Sequence, residues 1–271
     1  MIIDVPTTLS PSRISSFENC PLQFRFANLQ ALPQPPQEHL VRGNAVHRAL
    51  ELLFNDDPAE RTKQRAAETL ATTRTEFADD GNYAGLGLSG TMEDAFWAEC
   101  ARLVDNYFAM EDPSTVVDAE LETWVEARVG SVTLRGYVDR MERDPDGRLV
   151  ISDYKTGKVP NPKFEDKAMA QLQIYAYLVR EMRGETPSAL RLYFVRDRVR
   201  IDRVPTDQSL RDVEKRTTAV HDAIARSCES GVFATKKGPL CNFCAFTSWC
   251  PEFGGDPARA ADEAPLAVRP R

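Results

Sequence analysis

The sequence predicts an α/β domain in which a mixed central sheet is flanked by helices. Three observations carry that reading. Amphipathic helical periodicity dominates the chain before Val116. From Val116 to Lys155 the apolar period falls to two, as in paired strands. Beyond a long helical pattern lies a short apolar run, Leu190–Val195, placed where a crossover helix would return the chain to a buried parallel strand.

Composition sets the outer limits. The chain has 271 residues, 42% hydrophobic and 28% charged, which suits one sizeable globular domain or two small ones. No apolar run is long enough to cross a membrane, and the N-terminus lacks a basic-then-apolar signal pattern. The expectation is a soluble cytoplasmic protein with no membrane partner. A formal net charge of −7 argues against a protein that coats polyanions, so any nucleic-acid path must be a local basic stripe.

Taken in order, Ser10-Pro11 starts a helix, with Ser as N-cap and Pro at the first helical position. That helix turns Ile14 and Phe17 inward and runs out at Cys20-Pro21; Phe24 and Phe26 then pack on the core. Residues 31–39 read as a Pro-rich loop with a solvated His39. Arg42-Gly43 opens a second helix whose stripe is Val46, Leu50, Leu53 and Phe54, with His47 on its flank and Glu51 one turn on. Residues 58–80 read as a charged helix and 82–90 as a Gly-rich loop. Thr91 caps a helix burying Phe96, Cys100, Leu103, Tyr107 and Phe108. Residues 58–110 thus form a helical insert before the sheet, serving as core and scaffold.

Ala119, Leu121 and Trp124-Val125 mark a first strand, and a turn at Val129-Gly130-Ser131 leads into Val132–Asp139. The next turn, Asp144-Pro145-Asp146-Gly147, fits a three-residue hairpin loop: Pro145 sets a type I corner and Gly147 supplies the left-handed bulge residue. With Asp144 facing Arg148, Asp139 falls opposite Asp153, and Lys155 shares the Asp153 face. A two-residue loop would shift the register by one and separate the carboxylates. Opposed carboxylates repel unless a cation or a shared proton lies between them. A solvated strand edge, a proton-sharing dyad and a divalent-metal site with oxygen ligands therefore compete for this hairpin.

A helix spans about Asp166 to Arg183, with Leu172, Ala176 and Val179 inward and Gln171 and Tyr175 paired at i and i+4. Arg198, Arg200 and Asp202 alternate with Val199 and Ile201, as either a phosphate-tracking stripe or a charge-protected edge. A long helix follows, with Leu210, Val213, Val220 and Ile224 inward, a stop near Gly231 and a His221 that has no obvious partner. Residues 254–271 read as a disordered tail.

Six cysteines are Cys20, Cys100, Cys228, Cys241, Cys244 and Cys250. Cys100 and Cys228 sit in amphipathic patterns as small core residues. Cys241-x2-Cys244-x5-Cys250, with Cys20 available as a fourth ligand, is dense enough to call for a metal. Zinc and an iron–sulfur cluster are both compatible with thiolate-only ligation. Such a site would staple residues 10–26 to 228–253, with Phe243, Phe246 and Trp249 shielding it.

Gly136-Tyr-Val-Asp139 with Asp153-Tyr-Lys155-Thr-Gly157 resembles the PD-(D/E)xK nuclease fold, and in particular its RecB-like branch. The resemblance covers residues 10–252. It implies a restriction-endonuclease-like core within a single domain over residues 1–253. It also implies metal ligation of Mg²⁺ or Mn²⁺ by His47, Asp139, Asp153 and the Tyr154 carbonyl, with Lys155 at the reaction centre. Gln171 and Tyr175 match the family's QxxxY motif and would position DNA or the lysine. One N-terminal and three C-terminal cysteines resemble the iron–sulfur RecB-like nucleases, including helicase-associated enzymes and the nuclease of CRISPR adaptation. That implies a 4Fe–4S cluster on Cys20, Cys241, Cys244 and Cys250 ahead of zinc. The implied activity is a DNA exonuclease on single-stranded ends, in repair or recombination. Gly-x4-Gly-Lys-Ser/Thr is absent, so unwinding would fall to a helicase or repair partner. A non-catalytic nucleic-acid-binding or assembly subunit is the alternative, and a zinc-stabilised structural protein would leave the acidic hairpin unexplained.

Overall fold

The computed structural model describes residues 3–267, and the side chains of residues 3–264. No helix of the described residues is long and apolar enough to cross a membrane. The chain divides into two compact units. The first comprises Met1–Pro35, Glu126–Arg135 and Arg211–Arg271; the second comprises Pro36–Val125 and Gly136–Leu210.

The first unit opens with β1 (Thr8–Leu9), α1 (Pro11–Asn19) and α2 (Pro21–Phe24). Ser10 accepts the Arg13 N–H through its side chain, Pro11 takes the first turn, and Ile14 and Phe17 are buried, as the sequence predicts. β1 pairs in parallel with Thr133–Leu134. A π-helical turn, Arg25–Leu29, continues α2 where the sequence suggests no element, and buries Phe26.

The second unit begins with α3 (Glu38–Phe54). This helix starts a turn before Arg42-Gly43, because Gln37 is extended and Glu38 places a carboxylate at the positive helix end. His39 is therefore an exposed helical residue rather than part of a loop. α4 (Lys63–Phe77) starts later than the expected residue 58, since the Thr62 side chain caps it by accepting the Arg65 N–H. Asp80 caps a short α5 (Gly81–Gly85) inside the expected loop. Gly90, at φ 54°, precedes α6 (Thr91–Tyr107), so Thr91 is the first helical residue and not the cap. Leu50, Leu53 and Phe54 of α3, Leu70 of α4, and Trp97, Cys100 and Leu103 of α6 form one core.

β2 (Glu120–Val129) turns at Gly130 into β3 (Val132–Arg143), with which it pairs. β4 (Leu149–Lys155) pairs antiparallel with β3 from Arg140↔Ser152 to Arg143↔Leu149. The loop is the three-residue one: the Asp144 N–H donates to the Arg148 carbonyl, and Gly147 has φ 78°. α7 (Glu165–Arg183) crosses over one sheet face and returns the chain to β5 (Ala189–Phe194), parallel to β4. β6 (Val199–Arg203) closes the unit antiparallel to β5. The second unit thus holds a mixed sheet in the order β3-β4-β5-β6. β4 is buried from Leu149 through Tyr154, as a strand covered on both faces must be. Tyr154 and Tyr193 project into the helical core. Arg198 and Arg200 form no open stripe, because Arg198 donates to Asn106 and Arg200 pairs with Asp202.

The first unit is completed by α8 (Asp207–Ser230) and α9 (Ala260–Ala267). Leu210, Val213, Val220 and Ile224 are buried along α8 as expected. His221 does have partners: Nε2 donates to the Pro6 carbonyl at 3.0 Å, leaving Nδ1 to accept from Ser131 Oγ at 3.2 Å. α9 replaces much of the expected disordered tail, because Ala260 and Ala264 are buried and Trp249 donates to Glu263 at 2.8 Å. The last expected tail positions, 268–271, lie outside the described residues.

Candidate metal centre

The paired ladder ends at Arg140↔Ser152, and its register, continued by one pair, would bring Asp139 opposite Asp153. The Tyr154 N–H donates to Asp139 Oδ2 at 3.1 Å, which fixes that carboxylate against β4. Lys155 Nζ lies 3.0 Å from Asp153 Oδ1 and 2.7 Å from Oδ2. It donates at 3.0 Å to Gln171 Oε1, and the Gln171 amide donates at 3.1 Å to Tyr175 Oη. The i, i+4 spacing on α7 therefore ends at the β4 lysine. Gly136 is part of the same arrangement, since a Cβ there would come within 2.8 Å of the Tyr175 ring.

From the other side, α3 delivers His47. Its Nε2 is 2.6 Å from the Tyr154 carbonyl, which can only accept, so Nε2 carries a proton. Nδ1 lies 3.2 Å from Asp139 Oδ2. In neutral imidazole two lone pairs would then face each other, which requires a proton or a cation between them. Glu51, one turn on from His47, pairs with Arg48 at 3.0 Å.

The sequence reading missed Glu122. It stands on β2 with φ 43°, a left-handed conformation that breaks regular alternation. One atom each from His47, Glu122 and Asp139 lies within 4.8 Å of the other two; among the described residues, this is the one such group of three or more possible metal ligands. The apolar positions Ala119, Leu121, Trp124 and Val125 mark the strand, and an acid between them carries no periodic signal.

The electrostatics fit a cation. Burial, reinforced by Asp153 and opposed by His47 and Lys155, pushes the Asp139 carboxyl well above the usual range. Burial and then Asp139 push Glu122 up to about 7. Burial alone would depress the Lys155 ammonium, but Asp153 and Asp139 outweigh it and hold the lysine above its ordinary value. Asp153 Oδ2 is buried with no aligned hydrogen bond, meeting Lys155 only as an ion pair. Crowded acids of this kind, with histidine alongside, form a donor set suited to Mg²⁺ or Mn²⁺.

Residues 8–251 match the PD-(D/E)XK nuclease superfamily. The chain belongs to that superfamily. A curated relative, the Gene 69 protein of Mycobacterium phage D29, is 24% identical over 269 residues, covering 90% of this chain and 96% of its own. A solved structure of a provisionally named exonuclease from Eubacterium rectale has a TM-score of 0.56 at 11% identity, covering 88% of each chain. That likeness concerns the fold.

The four cysteines of the expected cluster lie in the first unit. Cys20, Cys241, Cys244 and Cys250 are free and half-buried. Burial raises the Cys244 thiol, and Cys20, Cys241 and Cys250 raise it further, but no three of these sulfurs lie within 4.8 Å of one another. Phe246 and Trp249 are buried, but Phe243 is 68% exposed and shields nothing. Cys100 is a core thiol pushed up to about 12 by burial, and Cys228 is also buried.

The raised carboxyls set a pH dependence. An acid whose folded pKa exceeds its unfolded value stabilises the fold below the unfolded pKa, and that contribution is lost as pH rises through the folded pKa. For Glu122 the window runs from its ordinary 4.5 to about 7. Without divalent cation, Tm should fall across that window, and Glu122→Gln should flatten the fall. The Tm gain on adding Mn²⁺ should be larger at pH 8 than at pH 5.5, because only the ionised acids bind cation. Scanning fluorimetry at several pH values checks both; a metal-induced gain that does not vary with pH counts against these ligands.

Proposed function

We propose that the protein is a RecB-like, Mg²⁺- or Mn²⁺-dependent DNA exonuclease acting on single-stranded ends. The observation that supports this best is the His47 Nδ1–Asp139 Oδ2 approach, with Glu122 alongside and Lys155 next to Asp153. His47, Asp139, Asp153 and the Tyr154 carbonyl are the ligands taken from the sequence; Glu122 is added to them. When bound, the metal would polarise a phosphodiester and acidify a water. The protein's own part is positional. Gln171, held by Tyr175, and Asp153 fix the Lys155 ammonium, which stabilises charge developing on the phosphate or orients the attacking water. The Tyr154 N–H and His47 hold Asp139 in place. A cytoplasmic repair or recombination role with a helicase partner is the setting this activity fits.

The test uses anaerobically purified protein with Mg²⁺ or Mn²⁺ on end-labelled linear and circular single-stranded DNA. Shortening of the linear strand alone supports exonuclease action. Cleavage of circles makes it an endonuclease, and DNA binding without any cleavage favours a non-catalytic subunit. His47→Ala should lower activity and alter the Mg²⁺/Mn²⁺ preference, with Glu51→Ala doing less.

The second part of the proposal is a 4Fe–4S cluster on Cys20, Cys241, Cys244 and Cys250, with zinc as the alternative. The Cys241-x2-Cys244-x5-Cys250 spacing supports it, as does a unit that contains both Cys20 and these three. Substituting any one of these cysteines by Ser should bleach visible absorbance and lower Tm, whereas Cys100→Ser and Cys228→Ser should keep the colour. One equivalent of zinc without iron or labile sulfide would overturn the cluster.

A further inference from the structure

Gly136 lies inside β3, where a residue without a side chain offers nothing to pack and loses more freedom on folding than any other. Its φ is not positive, so the backbone there would accept alanine without strain. What requires glycine is the space beside it. An ideal Cβ at this position would stand 2.8 Å from Tyr175 Cε1, 3.3 Å from Oη and 3.5 Å from Cζ. Carbon atoms do not approach to the first of these distances, so a side chain at 136 would force something to move.

The far end of the Tyr175 ring is the part that gives, since the alternative is to displace strand or helix backbone. That end carries the hydroxyl. Tyr175 is 5% exposed, and its Oη accepts the Gln171 amide at 3.1 Å. Gln171 Oε1 in turn accepts from Lys155 Nζ at 3.0 Å, and Asp153 is the other acceptor of that ammonium. Gly136, Tyr175, Gln171 and Lys155 all belong to the second unit. A displaced Tyr175 hydroxyl either drags Gln171 with it or lets it go. In both cases Lys155 loses its neutral acceptor on α7, and the ammonium is left to follow the Asp153 carboxylate alone.

We infer that Gly136 is a positioning residue for Lys155: its missing side chain leaves the space in which the Tyr175 ring stands, and Tyr175, through Gln171, sets where the ammonium is held. This rests on the nuclease reading of the centre and adds to it a residue that has no side chain to contribute. The test uses full-length protein. A crystal structure of Gly136→Ala without divalent cation should show the Tyr175 ring turned from β3, with Gln171 Oε1 beyond about 3.5 Å from Lys155 Nζ. On end-labelled single-stranded DNA with Mg²⁺, Gly136→Ala should lower kcat roughly tenfold to a hundredfold and leave KM nearly unchanged. Tyr175→Leu lacks the ring atoms that a methyl at 136 would meet. It should lower kcat as well, and adding Gly136→Ala to it should cost nothing further. In that background alanine should raise Tm by about 1–4 °C, the usual gain where glycine is not needed; with Tyr175 present the gain should shrink or reverse.

Losses in kcat that multiply in the double variant, or a Gly136→Ala structure with the Tyr175–Gln171–Lys155 chain unchanged, overturn the inference. Should Gly136→Ala fail to fold, the double variant decides: no gain in Tm over Tyr175→Leu means that Gly136 serves something other than the ring. Cleavage by wild type is scored separately. Wild type that does not cleave removes the nuclease reading and leaves the crystal structure to judge the positioning, whereas Gly136→Ala that cleaves as fast as an active wild type removes the positioning alone.

Discussion

Asp139→Asn should abolish cleavage while making the metal-free protein more stable. The Asp139 carboxyl is held above its usual pKa by burial and by Asp153 across the hairpin, so ionising it costs folding free energy. An amide of the same shape can still accept the Tyr154 N–H and no longer repels Asp153. The expected gain is on the order of 1 kcal/mol near neutral pH, where the wild-type acid must ionise. Cleavage should fall on the order of 10³-fold or more, because the proposed metal ligand is lost beside the Asp153–Lys155 pair. Thermal melts without divalent cation and a cleavage assay test the two halves together. A variant that is both inactive and less stable would mean that Asp139 supports the fold and not a cation.

The largest stability effect should come from Arg140, one residue along. It is completely buried, between the Phe54, Tyr154 and Tyr193 rings. Its guanidinium donates at 2.8 Å to Glu111, at 3.1 Å to Tyr107 and at 2.7 Å to Tyr154 Oη. Nε meets Glu142 as an ion pair without hydrogen-bond alignment, and Glu142 also pairs with Arg191 at 3.1 Å. Arg140→Met would fit the space but leave two buried carboxylates short of a cation, at a cost of roughly 3–5 kcal/mol. Adding Glu111→Gln and Glu142→Gln should recover part of that loss. Urea unfolding of the three-residue set against wild type measures it; an Arg140→Met midpoint within error of wild type would show that Glu111 and Glu142 need no such partner. The same bonds hold Tyr154, whose backbone carries both the acceptor for His47 and the donor for Asp139.

The D-x-K strand and its opposed Asp139 were legible because a hairpin loop is a local object. Pro145 and Gly147 set the loop length, and loop length fixes register. Gln171 and Tyr175 were legible as a helical i, i+4 pair, and His47 as the flank of a stripe. Helix starts were less so: Gln37, Thr62, Asp80 and Gly90 decide where α3, α4, α5 and α6 begin, and caps compete closely over a residue or two. The helix at Ala260–Ala267 was hidden because its composition is that of a tail, and its burial depends on Trp249 and its surroundings.

The sequence by itself determined the elements whose cause is short-range: period-two strands, one turn, amphipathic stripes and the cysteine spacing. Tertiary structure alone decided three things. It placed Glu122, whose left-handed backbone breaks the strand's alternation, beside His47 and Asp139. It buried Arg140 against Glu111 of a distant segment and under the Tyr154 and Tyr193 rings. It gave His221 its partners at Ser131 and Pro6. In each case the deciding energy is a contact between residues far apart in the chain. A single sequence encodes which groups can make such contacts, while only the folded backbone fixes which groups are brought within reach.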